Sequence, residues 1–142
     1  MTAKIHHFSL RTYYEDTDAG GIVYHASYLR FAERARTEWL RNLGVNQDDL
    51  RQAQSLGFVV TSLAVDYHRP ARLDDALQVT TGLVELGRAT MKLKQEIWRP
   101  DAASGSKLAT LTVTIACVEL GTKSGTGRVA RLPEALYKQL AG

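Results

Sequence analysis

Two carboxylates, two glycines and a histidine crowd one short stretch of this 142-residue chain. They are Asp16, Asp18, Gly20, Gly21 and His25, within YYEDTDAGGIVYHASYLRFAERARTEWL from Tyr13 to Leu40. Asp16 and Asp18 are two apart, so an extended backbone points both the same way, and the glycines supply the dihedral freedom of a tight turn. From about Ala26 the apolar period becomes helical. Tyr28, Ala32, Ala35, Trp39 and Leu43 share one face of a helical wheel with Phe31 beside them, opposite Arg30, Glu33, Arg34, Thr37 and Arg41. Ser27 is the expected N-cap and Gly44 the stop. The free N–H groups at such a helix entrance carry roughly +0.5 of an elementary charge and can hold an oxyanion. A carboxylate beside them can act as nucleophile or general base. The pattern predicts acyl transfer or hydrolysis without a serine nucleophile, since Ser27, Ser55 and Ser62 lack a glycine-flanked setting.

Other chemistries fit less of the pattern. Asp16, Asp18 and Gly21 take the first, third and sixth places of a calcium loop, but Ser27 stands where that loop requires a bidentate Glu. An aspartyl phosphatase needs parallel strands alternating with helices, whereas here strand-like segments follow one another. His6 and His7 are adjacent, so on a strand they face opposite sides and cannot share a metal, and His68 has no nearby partner in sequence. The single cysteine, Cys117, lies in the apolar run TVTIACVEL as a structural thiol. No metal and no intrachain disulfide are expected. Glu15 and Asp16 orient the loop in this reading, and Tyr14 and Tyr24 border it as packing residues or substrate contacts.

The segment EDTDAGGIVYHASYLRFAERAR resembles the signature of the 4-hydroxybenzoyl-CoA thioesterase family, in particular its Tol-Pal-associated (YbgC-type) acyl-CoA thioesterase branch. DYHRPARLDD, from Asp66 to Asp75, resembles the same branch. The resemblance implies an α+β hotdog fold, an antiparallel sheet wrapped around one long central helix, and hydrolysis of an acyl-CoA to free acid and thiol. Asp18 then takes the position of the family's catalytic carboxylate. His25 takes the position whose backbone amide polarises the thioester carbonyl. The resemblance further implies a homodimer or homotetramer with substrate bound between subunits, and an acyl carrier protein is the alternative thiol carrier. No cofactor is expected, because coenzyme A enters only as part of the substrate. Arg72, in the family-like PARLDD turn, is the first candidate contact for its phosphates and Arg88, beside Gly87, the second; Arg69 and Lys92 are lesser ones. Departures from the family pattern are Arg69 before Pro70 and a long GTKSGTGR segment from Gly121. The alternative function is a noncatalytic acyl-CoA-binding module, which gains nothing from a carboxylate beside an acyl carbonyl. A hotdog dehydratase would pair a catalytic His with a carboxylate, and His25 alone is available for that.

Composition sets the frame for these elements. A chain that is 44% hydrophobic and 23% charged fits one globular domain over residues 1–142. Its net charge of +3 is spread without a Lys/Arg run, which favours a phosphorylated small molecule or an acidic carrier over nucleic acid. The start, MTAKIHHFSL, has no apolar core of a signal peptide, and no window reaches the length of a membrane span, so a cytoplasmic protein is expected. A short helix is predicted from Asn46, its N-cap, to a stop at Gly57. Strands follow at Phe58–Tyr67, Ala76–Leu86, Ala89–Trp98 and Leu108–Leu120, with turns at Arg69–Pro70, at Gly87 and from Pro100 to Ser106. Leu132–Leu140 reads as a terminal helix with Pro133 in its first turn. The aliphatic run from Leu108 to Val118 is expected to be a sheet face or edge that pairs with another copy.

Overall fold

The computed structural model describes residues 4–100, 106–121 and 127–142; most of the predicted Pro100–Ser106 turn and the middle of the GTKSGTGR segment lie outside the described residues. Its elements run β1 (His6–Arg11), α1 (Ser27–Asn42), α2 (Gln47–Gln54), β2 (Leu56–Tyr67), β3 (Ala76–Leu86), β4 (Thr90–Arg99), β5 (Ser106–Glu119) and α3 (Glu134–Ala141). All strand pairs are antiparallel, in the order β1-β3-β4-β5-β2. This is an α+β architecture. Among the described residues no helix is long and apolar enough to cross a membrane.

Alternation builds the sheet's inner face. Met91, Leu93, Gln95 and Ile97 of β4 are fully buried, while Lys94 between them is exposed and Lys92 and Glu96 are half-buried. Leu83, Leu93, Val113 and Leu63 lie in one line across four strands. Against this face lies α1, burying Tyr28, Phe31, Ala32, Ala35, Trp39 and Leu40. The one buried amide of β4 is fully satisfied: Gln95 donates to the Ala32 carbonyl at 3.0 Å and the Thr81 hydroxyl at 2.9 Å, and accepts from Arg36 at 3.1 Å. Without those partners each orphaned polar group would cost about 1–3 kcal/mol.

Three expectations are corrected here. Ser27 is the first helical residue, not the cap; Ala26 holds that place, because the Ser27 hydroxyl is engaged elsewhere, donating to the Asp16 carbonyl at 3.1 Å. The second helix ends at Ser55, in the left-handed region at φ 53°, and Gly57 lies inside β2, where a Cβ would fall 2.5 Å from the Leu120 side chain. The run Leu108–Val118 is no edge: β5 pairs with β4 on one side and β2 on the other. The edges are β1 and β2. The other element bounds hold to within two residues, with Asn46 capping the amides of Asp48 and Asp49 at 3.0 and 3.1 Å and Gly44 at φ +88° after α1. Pro133, expected in the first turn of α3, is its N-cap, one place earlier.

Candidate active site

The chain between β1 and α1 is locked from below. Thr12 is fully buried, its hydroxyl donating to the Arg72 carbonyl at 2.6 Å and its N–H to the Asp75 carbonyl at 3.0 Å. Asp75 in turn accepts from the Arg72 N–H at 2.8 Å and from Arg99 at 2.8 and 3.1 Å, and Arg99 also donates to the Pro70 carbonyl. The charge-assisted pair fixes the PARLDD turn on the end of β3. Upon that turn sits the acidic loop, through the Val23 N–H to the Ala71 carbonyl at 2.8 Å and an antiparallel bridge between Ile22 and Arg72.

The two acids part company at this point. Residues Tyr14–Asp16 form a turn of 3-10 helix, not extended strand, so the expected common direction of Asp16 and Asp18 is lost. Asp16 is 3% exposed; its carboxylate accepts from the Tyr13 N–H at 2.8 Å, and its carbonyl accepts from the Tyr24 N–H and the Ser27 hydroxyl. Asp18 is exposed at the tip of a small hairpin closed by the Thr17–Val23 bridge. One oxygen of its carboxylate accepts from the Gly20 N–H at 2.8 Å, and Gly21 supplies the φ of +79° that the turn requires.

His25 is exposed, one residue ahead of the Ala26 cap. Ala26 offers no side-chain acceptor, so the helix entrance lacks a side-chain cap. Among the described residues the His25 N–H donates no hydrogen bond. Its direction is nevertheless fixed: the Tyr24 carbonyl of the same planar peptide accepts from the Ser27 N–H at 2.8 Å, and a trans peptide aims the N–H the opposite way. His25 borders a cavity of about 380 Å³, lined also by Ile22, Val23, Tyr28, Tyr67, His68, Arg69 and Pro70, whereas Asp18 is not part of its lining. Burial pushes the Tyr28 phenol above its ordinary pKa, and its oxygen accepts from the Ala71 N–H at 2.9 Å.

The remaining candidates are scattered. The Tyr24 ring packs on His25, centroids 4.4 Å apart, whereas Tyr14 is 83% exposed. Arg72 is exposed beside the loop. Arg88 lies past the far end of β3, roughly 35 Å away by strand geometry. It lines a separate cavity of about 410 Å³ with Arg131, Glu134, Tyr137 and Lys138. Cys117 is buried in β5, as expected of a structural thiol. Tyr67 and His68, which reading the sequence did not assign to the site, reach it from 42 and 43 residues beyond His25; the signal that could have found them is their place in the family-like DYHRPARLDD segment.

Comparison with known proteins agrees with this architecture. Residues 14–140 match the family model of the thioesterase-like superfamily. The acyl-CoA thioesterase YbgC of Haemophilus influenzae is 51% identical over 114 residues, covering 80% of this chain and 81% of that protein. The acyl-CoA thioester hydrolase YbgC of Escherichia coli is 41% identical over 84% of this chain and 86% of its own length. A crystal structure of a probable thioesterase from Bartonella henselae superposes with a TM-score of 0.82 at 36% identity, covering 92% of this chain and all of that one. With a match over nearly its whole length and a five-stranded antiparallel sheet packed against one long helix, the chain belongs to the thioesterase-like superfamily and has the hotdog fold.

Proposed function

We propose that this protein is an acyl-CoA thioesterase, hydrolysing an acyl thioester of coenzyme A, or of an acyl carrier protein, to a carboxylic acid and a thiol. The observation that carries the reading is the unpartnered His25 N–H at an uncapped helix entrance, on the same loop as the exposed carboxylate of Asp18. The thioester oxygen accepts from that N–H, which is worth about 10²–10³ in rate as negative charge develops. Asp18 then acts in one of two ways. As nucleophile it adds to the carbonyl carbon, the thiolate leaves, and water hydrolyses the acyl-aspartate anhydride. As general base it takes a proton from the attacking water, which adds directly and expels the thiolate. Tyr24 borders the reacting group in this scheme, and Tyr14 reaches toward the thiol arm from solvent.

The active species in this reading is a homodimer, or a homotetramer built from two of them. Edge strand β2 leaves Val59, Val60, Leu63 and Tyr67 39 to 48% exposed, apolar positions on a strand whose outer edge is unpaired among the described residues. Antiparallel pairing of two β2 edges would turn the second sheet end for end. The partner's Arg88, with the cations around it, would then lie toward the same end as Asp18 and Arg72, where they can meet coenzyme phosphates. A fully active monomer in sedimentation at micromolar concentration would contradict this assembly. Cytoplasmic placement follows from coenzyme A as substrate.

Thiol release across a panel of acyl-CoA esters, run with wild type and Asp18→Asn side by side, tests the activity. Turnover abolished by the substitution supports it. Binding without turnover in the wild type would assign the chain to the noncatalytic acyl-CoA modules instead.

A further inference from the structure

Residue 25 is held by an unusual contact. Its carbonyl lies ahead of the helix and receives no bond from the helical ladder; among the described residues it accepts only from the Tyr67 hydroxyl, at 2.7 Å. Tyr67 is the last residue of β2, so the bond joins the end of the edge strand to the entrance of α1. The Tyr67 ring is itself braced, meeting Tyr28 edge-on with centroids 5.2 Å apart and planes at 80°. Tyr28 is 3% exposed and tied to the Ala71 N–H. The hydroxyl therefore stands on a rigid base.

The peptide planes on either side of the His25 Cα are thus fixed by different partners. The plane before it carries the free N–H and is tied through the Tyr24 carbonyl to the Ser27 N–H. The plane after it carries the carbonyl that Tyr67 holds. Freed of Tyr67, the second plane can rotate about the Cα. Rotation there would slacken the turn that aims the first. An oxyanion donor works through preorganisation, and displacement of about 1 Å can cost ~10²-fold in rate.

We infer that Tyr67 is a positioning residue for the His25 backbone amide: its hydroxyl holds the helix entrance so that the free N–H keeps its aim on the substrate carbonyl. This rests on the hydrolytic reading given above. The ring of Tyr67 lines the cavity, but its hydroxyl is engaged by the His25 carbonyl, so deleting the hydroxyl alone should act on turnover and not on affinity. The bond also ties the donor to the strand that is free to pair with a second copy.

Tyr67→Phe is the test, because it keeps the ring and its contact with Tyr28 and deletes only the hydroxyl. Measured by thiol release beside wild type and Asp18→Asn, kcat should fall roughly 10-fold, less than the ~10²–10³ for outright loss of a donor, with KM within about twofold. In ¹H–¹⁵N spectra of the variant, the amides of residues 24–27 should broaden or shift while those of the sheet core stay in place. Wild-type kcat in Tyr67→Phe, with Asp18→Asn inactive, overturns the positioning role and leaves the hydrolytic reading standing. A raised KM at unchanged kcat overturns it too, as does a fall in kcat accompanied by disturbance across the sheet, for which a merely structural role suffices. A wild type without activity, or an Asp18→Asn as active as wild type, removes the catalytic reading and this inference with it.

Discussion

Asp16 and Asp18 are separated by one threonine and sit in opposite surroundings. The Asp16 half of the loop is sunk into the protein: its carboxylate and its carbonyl together receive three hydrogen bonds, tying strand end, loop and helix. In the Asp18 half the side chain is exposed and, among the described residues, accepts a single bond, from Gly20, and a few residues on the His25 N–H donates none. The same residue type, two positions apart, thus serves as an anchor in one place and keeps its lone pairs free for chemistry in the other. The difference teaches how a reactive loop is built: burial and satisfied hydrogen bonds fix the coordinates, and the groups left unsatisfied are those with capacity to react.

The contrast can be broken from either side. The largest effect is expected at the open end, where Asp18→Asn should lower kcat at least ~10²-fold while leaving stability to urea within about 0.5 kcal/mol, as for an exposed site. More than about a tenth of wild-type turnover would remove Asp18 from the chemistry, given that minimum cost. Next comes the anchor. Asp16→Ala strands the Tyr13 N–H and should cost about 1–3 kcal/mol in denaturant unfolding, with activity falling mainly as the folded fraction falls. Should Asp16→Ala unfold like wild type, the anchoring role would be lost. The smallest effect is expected for His25→Ala, under about tenfold in kcat, because the donor worth ~10²–10³ stays in the backbone. A loss as large as that of Asp18→Asn, with the structure intact, would transfer the chemistry to the imidazole.

Much of the scaffold was legible because its signals are local. Asn46 caps amides two and three residues ahead, and the wheel through Tyr28, Ala32, Ala35 and Trp39 names the face that α1 buries. Ser27 was misread as a cap because its hydroxyl is drawn to the Asp16 carbonyl, a partner that exists only once the loop has folded. The apolar run of β5 reads alike for a central strand and for a sticky edge, and only the crossover of β2 to the far side decides between them. The site is the least legible part. Asp75 meets Arg99 across 24 residues and Tyr67 meets His25 across 42, contacts that no periodicity encodes. Asp18 and His25 stand out through their segment, and Arg72 ranks ahead of Arg88 through its family-like turn; that the two arginines lie at opposite ends of one strand is visible only in the fold.

The free amide at residue 25 has a genetic consequence. A peptide N–H belongs to the chain and not to any codon, so every replacement there except proline preserves it. Drift at position 25 can then alter the shape or charge of the pocket wall without erasing the proposed donor, and substrate preference could diverge there among descendants of this gene. Asp18 has no such latitude in this scheme, since its carboxylate exists only as long as that codon does.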